Sequence, residues 1–444
     1  MNIVVIGGGA AGASAAVRAK RLNPNANVIL IEATDMVTHG PCAIPYYVEG
    51  IVKNRSSLTT YTPQYLEEKR GVKVYINTKA IGIDIDKKSV RIERKGNIEN
   101  IRWDKLIIAT GATPITIPGS DLKNVVTVRH PAYADHVKNV IMNARKIAII
   151  GGSYLGIEMT EAALFLGKKV LMFEKEQQVL ADALDSDLAK VVEEELISSG
   201  VELHLSEPVL ELSGSDRVEK VVTEYGSYDV DAVVLAIGVR PQIEIVKDVG
   251  IRFGVKGSIS VNEYMETSIE DIYAAGDVAE KYHRVLKKKV WIPLAPTANK
   301  EGQVAGANAA LGRTLVFRGV VGTAVTKFFD LYIGRTGVTE KEAKENGIDF
   351  RAKTISVRTK AHYYPGSVEI KMKMIVDRNN TIIGVQAVGK DISVAHYIDV
   401  AAVAIEKNMT IDDLFFSDLG YMPATAPVWH PLIVAARVLS EGRF

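Results

Sequence analysis

Four apolar residues in a row, Ile3 to Ile6, open the chain and stop at a glycine. The spacing then becomes Gly-rich (Gly7 to Gly12) and Ala-rich through Leu22, before a second apolar run, "ANVILIEA", ends at Glu32. Unbroken short apolar runs bounded by turns predict strands buried on both faces, and the Ala-rich stretch between them predicts a helix. The same order returns in "RKIAIIGGSYLGIEMTEAALFLGKKVLMFEKE", where Gly151 and Gly156 align with Gly7 and Gly12, and Glu174 closes the second run. Three further apolar runs end in turns: "DKLIIATGATP", "DAVVLAIGVRP" and "DIYAAGDVAE". Beyond Gly322 the pattern alternates apolar and polar, as in "VEIKMKMIVDRNNTIIGVQAVG", which predicts antiparallel strands around an Asn-Asn turn. Thr339 and Glu342 form a capping-box pattern for a short helix, and "HYIDVAAVAIEKNMTIDDLFFSD" reads as one or two helices.

The expected fold is α/β, with two Rossmann-like dinucleotide-binding domains and a C-terminal α+β domain. The order of these runs after the two glycine units resembles that of two-dinucleotide flavoproteins, which implies a discontinuous first nucleotide domain, 1–112 and 251–321, with the second inserted at 113–250 and the last domain at 322–444.

The two glycine turns carry the first chemical reading. In Gly7-x-Gly9-x-x-Gly12, the first glycine makes the tight turn, the second admits a pyrophosphate close to backbone, and the third lets helix pack on strand. The helix N-terminus offers free N–H groups to phosphates, and Glu32 accepts from ribose hydroxyls. In the second turn Ser153 replaces the middle glycine, a small residue that keeps the approach open but makes the motif less specific.

Composition narrows the field. Lys and Arg total 54 against 53 Asp and Glu, so no overall field favours nucleic acid or an anionic membrane. No apolar run reaches membrane-spanning length. The N-terminus lacks the basic leading region of a signal peptide, and its glycines fit a strand-turn-helix, so a cytoplasmic protein is expected. The single cysteine, Cys42, excludes an intrachain disulfide framework and a thiolate zinc cluster.

Taken in order, the two fingerprints, the Thr110-Gly111 turn and the Gly276-Asp277 pair resemble the flavoprotein pyridine nucleotide-disulfide oxidoreductases. That resemblance implies FAD on Gly7, Gly9, Ala10, Ala11, Gly12, Glu32, Thr110, Gly111, Gly276 and Asp277, with Asp277 holding the ribityl chain. It implies NADH or NADPH on Gly151, Gly152, Ser153, Tyr154, Leu155, Gly156, Glu158 and Glu174. On the same resemblance Tyr154 would cover the flavin face until nicotinamide displaces it, a packing residue in the turn being the alternative, and the Glu174 carboxylate would favour NADH over a 2′-phosphate, with Lys175 beside it as a counterweight. The last domain is the homodimer interface in that superfamily.

Two-thiol CxxxxC reductases are excluded by the lone cysteine. "CAIPYYVEG" resembles the single-cysteine segment of coenzyme A-disulfide reductases and NAD(P)H:sulfur oxidoreductases. There the cysteine starts a helix under the flavin, whose N-terminus is expected to lower the thiol pKa; the plainer alternative is an inert buried cysteine. The resemblance also implies coenzyme A contacts at Ser14, Arg18, Arg21, Thr38, Pro41, Arg70 and Asn299. Ser14, Arg18 and Arg21 share one helix face, though a basic helix end alone would explain the arginines. The resemblance implies further that Tyr421 and one of Tyr363 or Tyr364 reach across the dimer to the active site, with aromatic packing at an interface as the alternative. His39, His362 and His430 read as loop histidines, and Lys287–Lys289 as a solvated loop. Some members of the family add a rhodanese domain after this last region; none is expected here.

The expected activity is reduction of coenzyme A disulfide, or a related disulfide, persulfide, polysulfide or sulfur, through Cys42. Two alternatives stay open. A water- or peroxide-forming NADH oxidase is disfavoured because Ala10 stands where those enzymes carry a histidine. An electron-carrier reductase would use Cys42 only structurally.

Overall fold

The structure, a computed structural model, describes residues 1–443. Each of the first two units is built on a five-stranded parallel sheet. In the first the order is Ile272–Ala274, Lys105–Ile108, Asn2–Ile6, Asn27–Ile31, Lys73–Tyr75. In the second it is Glu202–His204, Lys169–Phe173, Lys146–Ile150, Ala232–Leu235, Val125–Thr127. The strand Ile272–Ala274 thus returns to the first sheet after the whole second unit has been laid down. A three-stranded antiparallel meander accompanies each unit, at 78–102 and 209–229. A two-stranded ribbon, Ala112–Pro114 against Val239–Pro241, links them.

The internal repeat extends to single backbone bonds. Gly7 N–H donates to Ile31 O and Gly151 N–H to Phe173 O, both at 2.8 Å. Thr38 N–H donates to Gly8 O and Leu180 N–H to Gly152 O, again both at 2.8 Å. Thr38 and Leu180 carry nearly the same positive φ, 51° and 52°. Helices α1 (Ala10–Leu22) and α5 (Tyr154–Phe165) follow the two glycine turns. A Cβ on Gly12 would lie 1.8 Å from Gly7 O, and one on Gly156 would lie 1.9 Å from Gly151 O. Only glycine lets these helices sit so close to their own turns.

After Asn27–Ile31 the chain leaves the first unit. A 3₁₀ turn, Pro41–Ala43, leads into α2 (Ile44–Glu49), which packs on α4 (Ala134–Asn143) and α5 of the second unit. Ile44, Tyr47 and Val48 join the second unit's apolar core, with Ile147, Ile157 and Met159. Lys138 Nζ donates to Tyr47 O at 2.9 Å, and the Tyr47 hydroxyl bonds Asp135. Apolar burial therefore pins this segment at the junction of the two units.

The C-terminal region is a five-stranded antiparallel sheet, in the order Ala324–Phe328, Leu331–Gly337, Ile382–Gly389, Glu369–Asp377, Phe350–Arg358. The Thr339–Glu342 capping box is formed, and two helices, Ser393–Glu406 and Ile411–Phe415, follow the sheet. The helix Pro431–Leu439 was not anticipated, although proline at its first position is a recognisable start signal. Lys287–Lys289 is not simply a solvated loop: Lys288–Val290 is a short strand, and Lys289 Nζ donates to Val261 O at 2.6 Å. No helix among the described residues is long and apolar enough to cross a membrane.

Candidate active site

Cys42 lies in the 3₁₀ turn before α2, and its side chain is exposed. It nevertheless occupies a recess between the first two units, and the surrounding protein raises its pKa. The Glu158 carboxylate raises it further, the Arg129 guanidinium opposes this, and Asp277 adds a smaller upward push. This corrects the expectation of a thiol acidified by a helix N-terminus. Its own backbone N–H does favour the thiolate, but a single 3₁₀ turn supplies little dipole, and desolvation with nearby carboxylates outweighs it. What the fold achieves is convergence: residues 42, 158 and 277, from three distant parts of the sequence, act on one sulfur.

Asp277 is held from two sides. Its carboxylate pairs with Arg129, and its carbonyl accepts from Trp291 Nε1 at 2.7 Å. Arg129 also donates to Ala112 O at 3.2 Å, so it ties the linking ribbon to the Gly276 turn. Beneath that turn is an ion pair, Lys281 with Glu301, 3.5 Å apart and both fully buried. Glu301, on α7 (Ala295–Leu311), accepts from Gly276 N–H at 2.8 Å, and Lys281 donates to Gly276 O and Ala279 O. None of Arg129, Lys281 or Glu301 stood out in the sequence, because no local pattern marks a long-range pair.

Glu32 and Glu174 play matching parts. Glu32 accepts from Gly8 N–H at 2.8 Å and from Thr34 N–H; Glu174 accepts from Gly152 N–H at 2.6 Å and from Glu176 N–H. Each carboxylate thus braces its glycine turn and retains further accepting capacity.

The two turns differ at the helix N-terminus. Gly9, the N-cap of α1, provides no side-chain bond. A Cβ there would meet only the edge of the His39 ring, 3.4 Å away. This cradle fits a bound diphosphate, which would satisfy the open N–H groups of Ala10 and Ala11. Ser153 caps α5 instead, accepting from Gly156 N–H at 3.3 Å and donating to Ala236 O at 2.9 Å. Serine as an N-cap is the signal that explains the departure from glycine. Tyr154, half-buried at the start of α5, has its phenol pKa pushed up to about 12 by burial. Leu155 packs at the edge of the second unit's core. Thr110 Oγ1 donates to Gln242 O at 2.7 Å, and Gly111 takes a positive φ of 76° beside Arg129.

His39 is more than a loop residue. Its ring lies 4.0 Å from that of His130, tilted by 54°, and burial and that neighbour lower its pKa to about 3.

The residues named for coenzyme A fall into one neighbourhood. Asn299 Nδ2 donates to Ser14 Oγ at 2.7 Å, joining α7 to α1. Arg18 is half-buried with a partnerless Nε, and Arg21 is exposed. Helix α3 (Pro63–Arg70) packs on α1, and Arg70 lies over the stacked rings of Tyr61 and Tyr65. Thr38 Oγ1 exchanges bonds with the Tyr61 backbone, and Pro41 starts the 3₁₀ turn. Tyr363 and Tyr421 meet hydroxyl to hydroxyl at 3.3 Å on the exposed face of the C-terminal region, whereas Tyr364 is not part of that pair.

Comparison with known proteins fits this architecture. Residues 1–302 match the pyridine nucleotide-disulphide oxidoreductase family, and residues 323–432 match its dimerisation domain. The chain belongs to that family. This oxidoreductase is 46% identical over 443 residues to a protein of Pyrococcus abyssi named NAD(P)H sulfur oxidoreductase (CoA-dependent), covering 99% of this chain and 98% of that one. It is 35% identical to an NADH oxidase of Methanocaldococcus jannaschii, covering 98% of each. Among solved structures, an NAD-dependent persulfide reductase from A. fulgidus superposes with a TM-score of 0.96 at 38% identity, covering 100% of this chain and 84% of that one.

Proposed function

We propose that this oxidoreductase reduces coenzyme A-linked sulfur–sulfur bonds, in a disulfide, persulfide or polysulfide, at the expense of NAD(P)H and through Cys42. The observation that carries this reading is the placement of one exposed thiol under the joint influence of Asp277 and Glu158, where the two nucleotide units meet. The names of the similar Pyrococcus and A. fulgidus proteins support the substrate class.

We place FAD on the 1–112 and 251–321 parts, on Gly7, Gly9, Ala10, Ala11, Gly12, Glu32, Thr110, Gly111, Gly276 and Asp277. We place NAD(P)H on the inserted unit 113–250, at Gly151 to Gly156 with Glu158 and Glu174. Bound there, FAD would accept a hydride equivalent from NAD(P)H and make an electron pair available to sulfur.

The chain's own residues then perform the thiol chemistry. The Cys42 thiolate attacks one sulfur of RSSR, forms a Cys42–S–S–R bond and releases RS⁻, which takes up a proton. Two electrons and a proton convert the mixed disulfide back to the thiolate and a second RSH. Arg129 stabilises the thiolate charge, and the high ground-state pKa keeps the freed sulfur strongly nucleophilic. Ser14, Arg18, Arg21, Thr38, Pro41, Arg70 and Asn299 would position the coenzyme A moiety, with the arginines on its phosphates. Tyr421 and Tyr363, supplied by the other subunit of a homodimer, would protonate the leaving thiolate; their pairing favours Tyr363 over Tyr364.

Intact mass spectrometry tests the substrate. The purified protein is expected to lose the mass of one coenzyme A on reduction, and a Cys42→Ser variant to carry none. An unchanged mass after loading with coenzyme A disulfide would contradict the reading.

A further inference from the structure

Glu158 is not isolated. It lies one helical turn from Glu161 on α5, so both carboxylates face the strand Ala324–Phe328 of the C-terminal region. Thr326 Oγ1 donates to Glu158 at 2.8 Å, Lys327 pairs with Glu161, and Phe329 N–H donates to Glu161 at 2.9 Å. Opposite them is α2, which begins just after Cys42 and ends at Glu49. Glu49 is only 6% exposed, and both of its carboxylate oxygens are buried without a hydrogen-bond partner. Such a group is costly to bury charged, and no structural role for it is visible.

Tyr46 stands among all of these groups. Glu158, Glu161, Glu49 and Cys42 each act electrostatically on its phenol, and Lys327 Nζ lies 5.6 Å from its ring centre. Glu49, Glu161 and Lys327 also line a cavity of about 800 Å³ between α2, α5 and the C-terminal sheet. Tyr46 comes four residues after Cys42 and three before Glu49, so one face of the 3₁₀ turn and α2 runs from the sulfur towards this space.

We propose that Glu49 and Glu158, grouped with the Lys327–Glu161 pair around Tyr46, form a proton path from this cavity to the redox centre at Cys42. The demand for it is stoichiometric: NAD(P)H + H⁺ + RSSR gives NAD(P)⁺ + 2 RSH, so each turnover takes one proton from solvent. Both ends of the path hold protons near neutrality. Burial raises Glu49 and Glu158 to about 7, with Glu161 repelling each and Lys327 opposing, and Thr326 also opposing at Glu158. The other charged or titratable groups lining the cavity are Asp330, Lys360, Lys390, Asp391 and His396. Lys360 pairs with Asp391, and Lys390 with Glu195 and Asp330, so these lysines are not committed to Glu49. A path of carboxylic acids delivers best when protonated, so turnover should fall as pH rises through about 7.

The inference rests on Cys42 as the redox centre, and thiol formation by the wild-type enzyme tests that reading separately. The test of the path is Glu49→Gln, which keeps shape and removes the exchangeable proton, with Glu49→Asp beside it. Thiol production is followed against pH, in H₂O and D₂O, at low and high concentrations of imidazole buffer, on holoenzyme with checked flavin content. The Gln variant should lose about tenfold or more in kcat with KM little changed. It should also show a larger solvent isotope effect and regain rate as imidazole is raised, while Asp restores part of the activity. Unchanged kcat, or a loss that is equal at every pH and indifferent to imidazole, would overturn the proposal.

Discussion

Adding one methyl group at the glycine of each turn separates the roles of the two units. In Gly12→Ala the new Cβ would lie 1.8 Å from Gly7 O, against an ordinary contact of 3.4–4 Å, and 3.2 Å from Ala109 Cβ. The oxygen belongs to backbone fixed at φ +103°, so relief requires the turn itself to move. Alanine gains about 1 kcal/mol of helix propensity over glycine. Overpacking against backbone costs about 3 kcal/mol, at the upper end of the usual range. The net penalty of about 2 kcal/mol corresponds to a roughly thirtyfold weaker hold on any ligand that needs the turn in place. In Gly156→Ala the matching clash is 1.9 Å from Gly151 O, so the penalty should be alike. The assay is flavin absorbance after gel filtration, then KM for NADH on the retained holoenzyme. Gly12→Ala should lose flavin, whereas Gly156→Ala should keep flavin and show the raised KM. Full flavin occupancy in Gly12→Ala, or flavin loss confined to Gly156→Ala, would refute the assignment of the two turns.

Other consequences follow from the same contacts. Lys281→Met leaves Glu301 buried without its cation and Glu301→Gln leaves Lys281 buried without its anion, so each should lower the unfolding free energy near neutral pH by about 3–5 kcal/mol; the double variant should cost clearly less than their sum, and additive costs would speak against the pair. Because Glu158 raises the Cys42 pKa, iodoacetamide should alkylate Glu158→Gln faster than wild type at a fixed neutral pH; an unchanged rate would mean that Glu158 does not act on the thiol. Tyr421→Phe and Tyr363→Phe should each lower disulfide turnover and Tyr364→Phe should not; the reverse ranking would move the phenol's role to Tyr364. NADH should give the higher kcat/KM of the two coenzymes, and Glu174→Ala should narrow the gap, while a strong NADPH preference in the wild type would contradict the role given to Glu174.

The parts of this molecule written in short-range spacing were readable from sequence. Both glycine turns, the acids that close their second strands and the alternating C-terminal strands depend on residues a few positions apart. The chemistry around Cys42 was not readable in the same way. The run after Glu32 gives no sign that Ile44, Tyr47 and Val48 bury into the other unit, and that burial is what carries the thiol to Glu158 and Arg129. For the same reason the rule that helix N-termini acidify thiols gave the wrong direction: it is a local rule, and what decides is desolvation by the surrounding protein, with the Glu158 charge adding to it. No local pattern marks Glu49 or Lys327, and only the packing of three regions shows one buried without a partner and the other paired with Glu161. Ser153 was within reach, since a serine just before a helix is a familiar cap.

The central claim is that electrons leave this protein through Cys42. Cys42→Ser holoenzyme, mixed with NADH and coenzyme A disulfide in a stopped-flow instrument, measures flavin bleaching and thiol release together. The account predicts bleaching at close to the wild-type rate with no thiol released; thiol release at the wild-type rate would contradict it.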